Sequence, residues 1–144
     1  MKKLAISLLM TLPLSVHAED FGADINKRQN AFDNIETISE QVEYTMDGQD
    51  TDWAKLETQS KSLATYSDSL LALFPQGSHS GDTKAKLEIW SKPQKFNQLL
   101  QQMDKGFQDL YQASQMKDIQ MAEAALESAQ DTCRGCHRSY RSRF

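Results

Sequence analysis

Apolar residues recur every three or four positions through four long stretches of this 144-residue chain, a spacing that fits α-helices and no strand. The first stretch runs from about Ala23 to Met46, with Ile25, Phe32, Ile35, Val42 and Met46 at helical spacing. The second runs from about Thr51 to Leu73 and carries Trp53, Leu56, Leu63 and Leu70, with Asp50 and Thr51 as candidate N-caps after Gly48. The third, from about Lys92 to Ser114, presents Phe96, Leu99, Leu100, Met103, Phe107 and Leu110. Ser91 is its candidate cap, and Pro93 suits a first helical turn. The fourth, from about Asp118 to Tyr140, sets Ile119, Ala122, Leu126, Ala129, Cys133, Cys136 and Tyr140 on one side. Short links at 47–50 and 115–117 force neighbouring helices antiparallel. The middle connection is longer: Pro75, Gly77 and Gly81 mark a loop from Phe74 to Asp82, followed by a helical turn near Leu87–Trp90. The expected fold is all-α, an antiparallel up-down-up-down four-helix bundle.

Both cysteines fall in one run, Cys133-Arg134-Gly135-Cys136-His137, near the end of the fourth stretch. A C-x-x-C-H run is the signature of covalent haem attachment, in which two thiols add to the vinyl groups and the adjacent imidazole takes the iron. A redox-active disulfide would sit at the start of a helix after a strand, and a structural zinc site needs more ligands than two thiols and one imidazole. On a helix, residues three and four apart share a face, so Cys133, Cys136 and His137 meet one porphyrin edge. One covalent haem c is therefore expected, with His137 as the axial iron ligand and the haem in the bundle core near the C-terminal helix. Phe32, Phe74, Phe96, Phe107, Tyr111 and Trp90 suffice to wall it, though for each taken singly ordinary core packing is the stronger reading.

Residues 1–18 have the form of a cleaved secretory signal. Lys2 and Lys3 are followed by a short apolar run and Val16-His17-Ala18, and the run is too short for a membrane anchor. That leaves a single domain, 19–144, in the periplasm. The formal charge of −4 becomes two units more negative once both lysines are removed. An acidic surface argues against nucleic acid or a membrane as partner.

Four segments together resemble the cytochrome c-prime family of class II c-type cytochromes. They are Lys27-Arg28-Gln29-Asn30-Ala31-Phe32, Leu73-Phe74-Pro75-Gln76-Gly77 leading to Gly81-Asp82, Glu88-Ile89-Trp90, and Cys133 through Arg141. The haem motif is common to all c-type cytochromes; its position in the last helix, with Arg-Gln early in the first, is the diagnostic part. The resemblance implies that Arg28 and Gln29 meet the haem propionates and that Arg141 lies on the proximal side. From the residues alone, Arg28 reads as a solvated helix-face arginine, and Arg141 reads equally as surface charge. Low-spin relatives in this bundle class place a methionine ligand where this chain has Phe32, and the family's usual residue there is a smaller aliphatic one. Many relatives form homodimers through the first two helices, to which Ile38, Val42 and Tyr44 would contribute here.

A phenyl ring cannot ligate iron, so five-coordinate iron with Phe32 over an apolar distal pocket is expected. Met46, Met103, Met116 and Met121 read as core or helix-end residues, and His79 sits in a Gly/Ser loop. A pocket without hydrogen-bond donors favours nitric oxide and carbon monoxide over dioxygen. It also lacks the distal acid/base residue that peroxide cleavage needs, so no enzyme is expected. The alternative is a low-potential electron carrier in a respiratory chain, its redox partner unspecified.

Overall fold

The computed structural model describes residues 20–143; the segment read as a signal lies outside the described residues. Four long helices, α1 (Gly22–Thr45), α2 (Trp53–Leu70), α4 (Pro93–Met116) and α5 (Ile119–Tyr140), form the bundle, and a one-turn helix, α3 (Glu88–Ser91), precedes α4. The expected four-helix architecture is what the chain adopts.

The helix ends correct several details. Asp52, not Asp50 or Thr51, caps α2, its Oδ1 accepting from Lys55 N at 3.0 Å. The Thr51 hydroxyl is used within the link, donating to Gly48 O and accepting from Asp47 N. α2 stops at Leu70 rather than Leu73, since Pro75 disfavours helix in the residue before it and a turn intervenes. Ser91 ends α3 and does not cap α4, which starts at Pro93 without a side-chain cap. Asp118 does cap α5, accepting from Met121 N, and Lys117 enters the left-handed region (φ 55°) to make that link tight.

The buried stripe of α1 is Ile25, Arg28, Ala31, Ile35, Ser39, Val42 and Thr45. Ala31 therefore takes the core register expected of Phe32, which sits at the stripe's edge and is 37% exposed. Around the bundle, α1 packs on α2, α2 on α4 and α4 on α5. The fourth seam, between α1 and α5, is not closely packed. It is bridged at one end by Gln130 Nε2 donating to Glu43 Oε1 at 2.6 Å.

The α4–α5 seam is the tightest. A Cβ placed on Gly106 would lie 2.8 Å from both the Ala129 Cβ and the Ala129 backbone nitrogen. This approach sets the register that brings Leu99 of α4 against Gly135 of α5.

Arg28 decides where the long connection goes. It is 2% exposed and takes no carboxylate partner. Its Nη1 donates to Ser78 Oγ (2.8 Å) and Leu73 O (3.3 Å), and its Nη2 to Ser78 O and Thr83 Oγ1 (both 2.8 Å). The guanidinium carbon lies 4.9 Å from the centre of the Phe74 ring and 5.8 Å from that of Trp90. Reading it as a solvated helix-face arginine was wrong, because spacing shows which face a residue occupies but not that a loop folds over it. Burial pushes its pKa down from the ordinary value, and Asp24, one turn earlier, pulls the other way. Gln29 adds a bond from Nε2 to Asp82 O at 2.8 Å. Gly77 and Gly81 adopt φ of 95° and 110°, which lets the loop fold back onto Phe21 and Ile25.

Two stability outcomes follow. Gly106→Ala gains up to about 1 kcal/mol of helix propensity, but overpacking against the Ala129 backbone costs about 1–3 kcal/mol. Net destabilisation in urea melts of the holoprotein is expected, and a more stable variant would show that the seam has room. Arg28→Met leaves buried Ser78 acceptors unpaired and should cost about 2–4 kcal/mol. The loss should appear in hydrogen exchange as selective deprotection of residues 73–83.

Candidate functional site

The chain's chemistry gathers at one end of the loosely packed α1–α5 seam. On the α5 side stand Cys133, Cys136 and His137, within the last two turns of the helix. On the α1 side, Glu36 is close enough to raise the Cys133 thiol by its charge, and Phe32 is one turn away on the same face. Burial is the larger influence on both thiols. It pushes Cys133 up against the opposing effect of a Thr132 hydrogen bond, and carries Cys136, with Cys133 adding to it, to about 11. Held neutral by burial, both thiols resist oxidation to a disulfide, and their spacing of one helical turn sets them on one face of α5.

A continuous run of rings crosses this end of the bundle. Phe32 lies 6.4 Å from Phe74 edge-to-face, Phe74 lies 4.8 Å from Phe96, and Phe96 lies 5.3 Å from Tyr140. These contacts link α1, the loop, α4 and α5. Trp90 stands behind Phe74 and is fixed by its indole N–H donating to Pro75 O at 2.8 Å. Phe107 and Tyr111 are not part of this wall. They lie on α4 at and beyond the Gly106 crossing, where Phe107 belongs to the central core. His79 is exposed and packs 5.6 Å from Trp90. Met103 is core, and Met46, Met116 and Met121 sit at helix ends.

The expected site residues thus divide into groups. Phe32, Phe74 and Phe96 belong to the ring run that reaches Tyr140, three residues beyond His137 on α5, and Cys133 lies near Glu36 of α1. His137 lines the cleft described below, and Cys136 stands between it and Cys133 on the same helix. Arg28 and Gln29 lie beside the ring run, with their donors engaged by the loop. Four of the five guanidinium N–H groups of Arg28 are used, which leaves Nε–H for any further acceptor. Arg141 lies one turn beyond His137 on an open cleft of about 520 Å³, which Lys84, Arg134 and Arg138 also line. The chain around it is clipped in place: Lys86 N donates to Tyr140 O at 2.9 Å, and Ser142 N donates to Lys84 O at 2.8 Å. Sequence reasoning missed Ser78, Thr83, Glu36 and the ring contact of Tyr140. Each owes its place to a contact across the fold, for which local spacing carries no signal.

A flat, largely apolar macrocycle fits this arrangement. This end of the bundle offers a run of ring surfaces, two thiols and an imidazole on one helix face, and, around His137, exposed cations for carboxylates.

Comparisons with known proteins agree. The family model described as cytochrome c′ matches residues 23–141. A cytochrome c′ of Pararhodospirillum photometricum is 30% identical over 89 residues, covering 61% of this chain and 71% of that protein. The crystal structure of cytochrome c′ from Rubrivivax gelatinosus superposes with a TM-score of 0.78 at 24% identity, covering 88% of this chain and all of that one. Cytochrome c′ from Shewanella frigidimarina gives 0.77 at 25% identity, covering 88% and 99%. A nitric oxide complex of a mutant cytochrome c′ from Alcaligenes xylosoxidans gives 0.76 at 25%, covering 89% and 100%. A C-terminal C-x-x-C-H run, an all-helical bundle and a family match across nearly all of the described residues lead to one conclusion: the chain belongs to the cytochrome c′ family of proteins carrying covalently attached haem c.

Proposed function

We propose that this chain is a periplasmic haem protein whose iron, held by His137 with the thioethers at Cys133 and Cys136, keeps its second axial position open to nitric oxide and carbon monoxide. The observation that carries this reading is Phe32, a side chain with no ligating atom, one turn before Glu36, the α1 residue whose charge reaches Cys133. When bound, the haem supplies the metal centre; the rest is done by the chain's own residues. Phe32, Phe74 and Phe96 exclude water from this end of the seam and offer no hydrogen-bond donor to a partly negative dioxygen. Glu36, on the same face, is a carboxylate and so an acceptor. Arg28 and Gln29 hold the loop at the propionate end, and Arg141 provides charge on the proximal side. The similarity at 25% identity to a cytochrome c′ solved as a nitric oxide complex supports the ligand class.

No catalytic turnover is part of this reading. The N-terminal signal pattern supports the periplasm, and among the described residues no helix is long and apolar enough to cross a membrane. A homodimer through α1 and α2 also belongs to the proposal. Tyr44 (87% exposed) and half-buried Ile38 are available for it, whereas Val42 is fully buried in the core.

Optical spectra of the ferric, ferrous, NO and CO forms test the reading. High-spin spectra that change on adding NO are expected; low-spin spectra in both redox states with no response to NO would overturn it. Phe32→Ala should speed CO recombination in flash photolysis by about tenfold or more, a barrier change of at least about 1.4 kcal/mol. An unchanged rate would remove Phe32 from the pocket.

A further inference from the structure

The formal charge of −4 conceals a segregation of sign. Residues 84–95 carry Lys84, Lys86, Lys92 and Lys95 against Glu88 alone, and residues 132–143 carry Arg134, Arg138, Arg141 and Arg143 with no acid. Between residues 19 and 131, outside those segments, nineteen acids stand against six Lys and Arg. The fold brings the two basic segments together. The backbone clip joins 84–86 to 140–142, and the Leu99–Gly135 contact sets the start of α4 beside the end of α5. All eight cations except half-buried Lys86 are exposed, and among the described residues none of them is ion-paired. Five of them, Lys84, Arg134, Arg138, Arg141 and Arg143, line the cleft into which His137 opens, and Leu87, next to Lys86 in the chain, is 56% exposed.

We propose that this end of the bundle is the docking surface for a protein with a carboxylate-rich face. The inference rests on the haem reading only in taking the end with Cys133 and His137 as the functional end. A molecule acidic everywhere else and basic here has a strong dipole, which turns this end toward an acidic partner during approach and repels the same partner elsewhere. The recessed shape favours a protruding protein surface over a flat bilayer, and one exposed leucine is too little to anchor in lipid.

The test uses holoprotein whose covalent haem is verified by its absorbance. Fluorescent poly-L-glutamate is the probe, followed by anisotropy at ionic strengths of about 0.02 and about 0.3 M, which span weak and strong screening. Binding at low salt, lost at high salt and absent with poly-L-lysine, is expected. The triple variant Lys84→Glu, Arg138→Glu, Arg143→Glu should weaken it by about tenfold or more with unchanged haem absorbance. If that variant loses haem, the pair Lys92→Glu, Lys95→Glu decides instead. Wild-type protein that ignores poly-L-glutamate, or variants that bind it equally well, would overturn the proposal. So would binding confined to phosphatidylglycerol vesicles, which would make this a lipid-facing surface. Failure of the haem reading would appear separately, as absence of covalent haem in the starting protein.

Discussion

A single buried guanidinium organises the functional end of this molecule. Arg28 lies in the core register of α1, where an apolar residue would ordinarily sit, and its charge is compensated by hydroxyl and carbonyl oxygens from the connection between α2 and α3. Such a group is tolerated only while its hydrogen bonds are made, and its partners in turn have no other donor of equal strength. The loop is therefore required to fold over α1. Phe74 and Trp90 are carried with it against the guanidinium, and Phe74 then links Phe32 to Phe96. The run of rings is a consequence of satisfying one cation.

The open α1–α5 seam follows from the same division of labour. Three seams of the bundle are filled by interdigitating side chains, most tightly where Gly106 lets α4 approach α5. In the fourth, the proposed haem would take the place of side chains that otherwise close a bundle. Thioether bonds at Cys133 and Cys136 would fix it to α5, the helix held most firmly by its neighbour. The α1 wall contributes an inert ring and a carboxylate. That asymmetry suits a site where one face holds the metal and the other admits a small ligand.

The number, order and direction of the helices were legible because amphipathic spacing and link length are local properties. The attachment motif was legible because its three residues lie within one helical turn. Arg28 was misread on its spacing alone, since its burial depends on Ser78 and Thr83, some fifty residues away. Phe32 was assigned to the core stripe that Ala31 occupies; a shift of one residue on a helix turns a side chain by about 100°, which periodicity cannot resolve at a stripe's edge. The cationic end escaped notice because net charge sums over a surface whose two signs are kept apart.

The backbone clip also bears on the order in which the molecule assembles. Lys84–Ser142 and Arg28–Ser78 are contacts between residues far apart in sequence, whereas the α4–α5 hairpin closes through a two-residue link, Lys117 and Asp118. Contacts that close long loops form late, after local ones have reduced the search. The hairpin bearing the thiols is thus expected to be structured before the loop and the C-terminal residues fasten this end. The same sequence run backwards makes this end the first to open. The thiols are presented while this end is still accessible, and it is fastened only once residues 140–142 are clipped to 84–86.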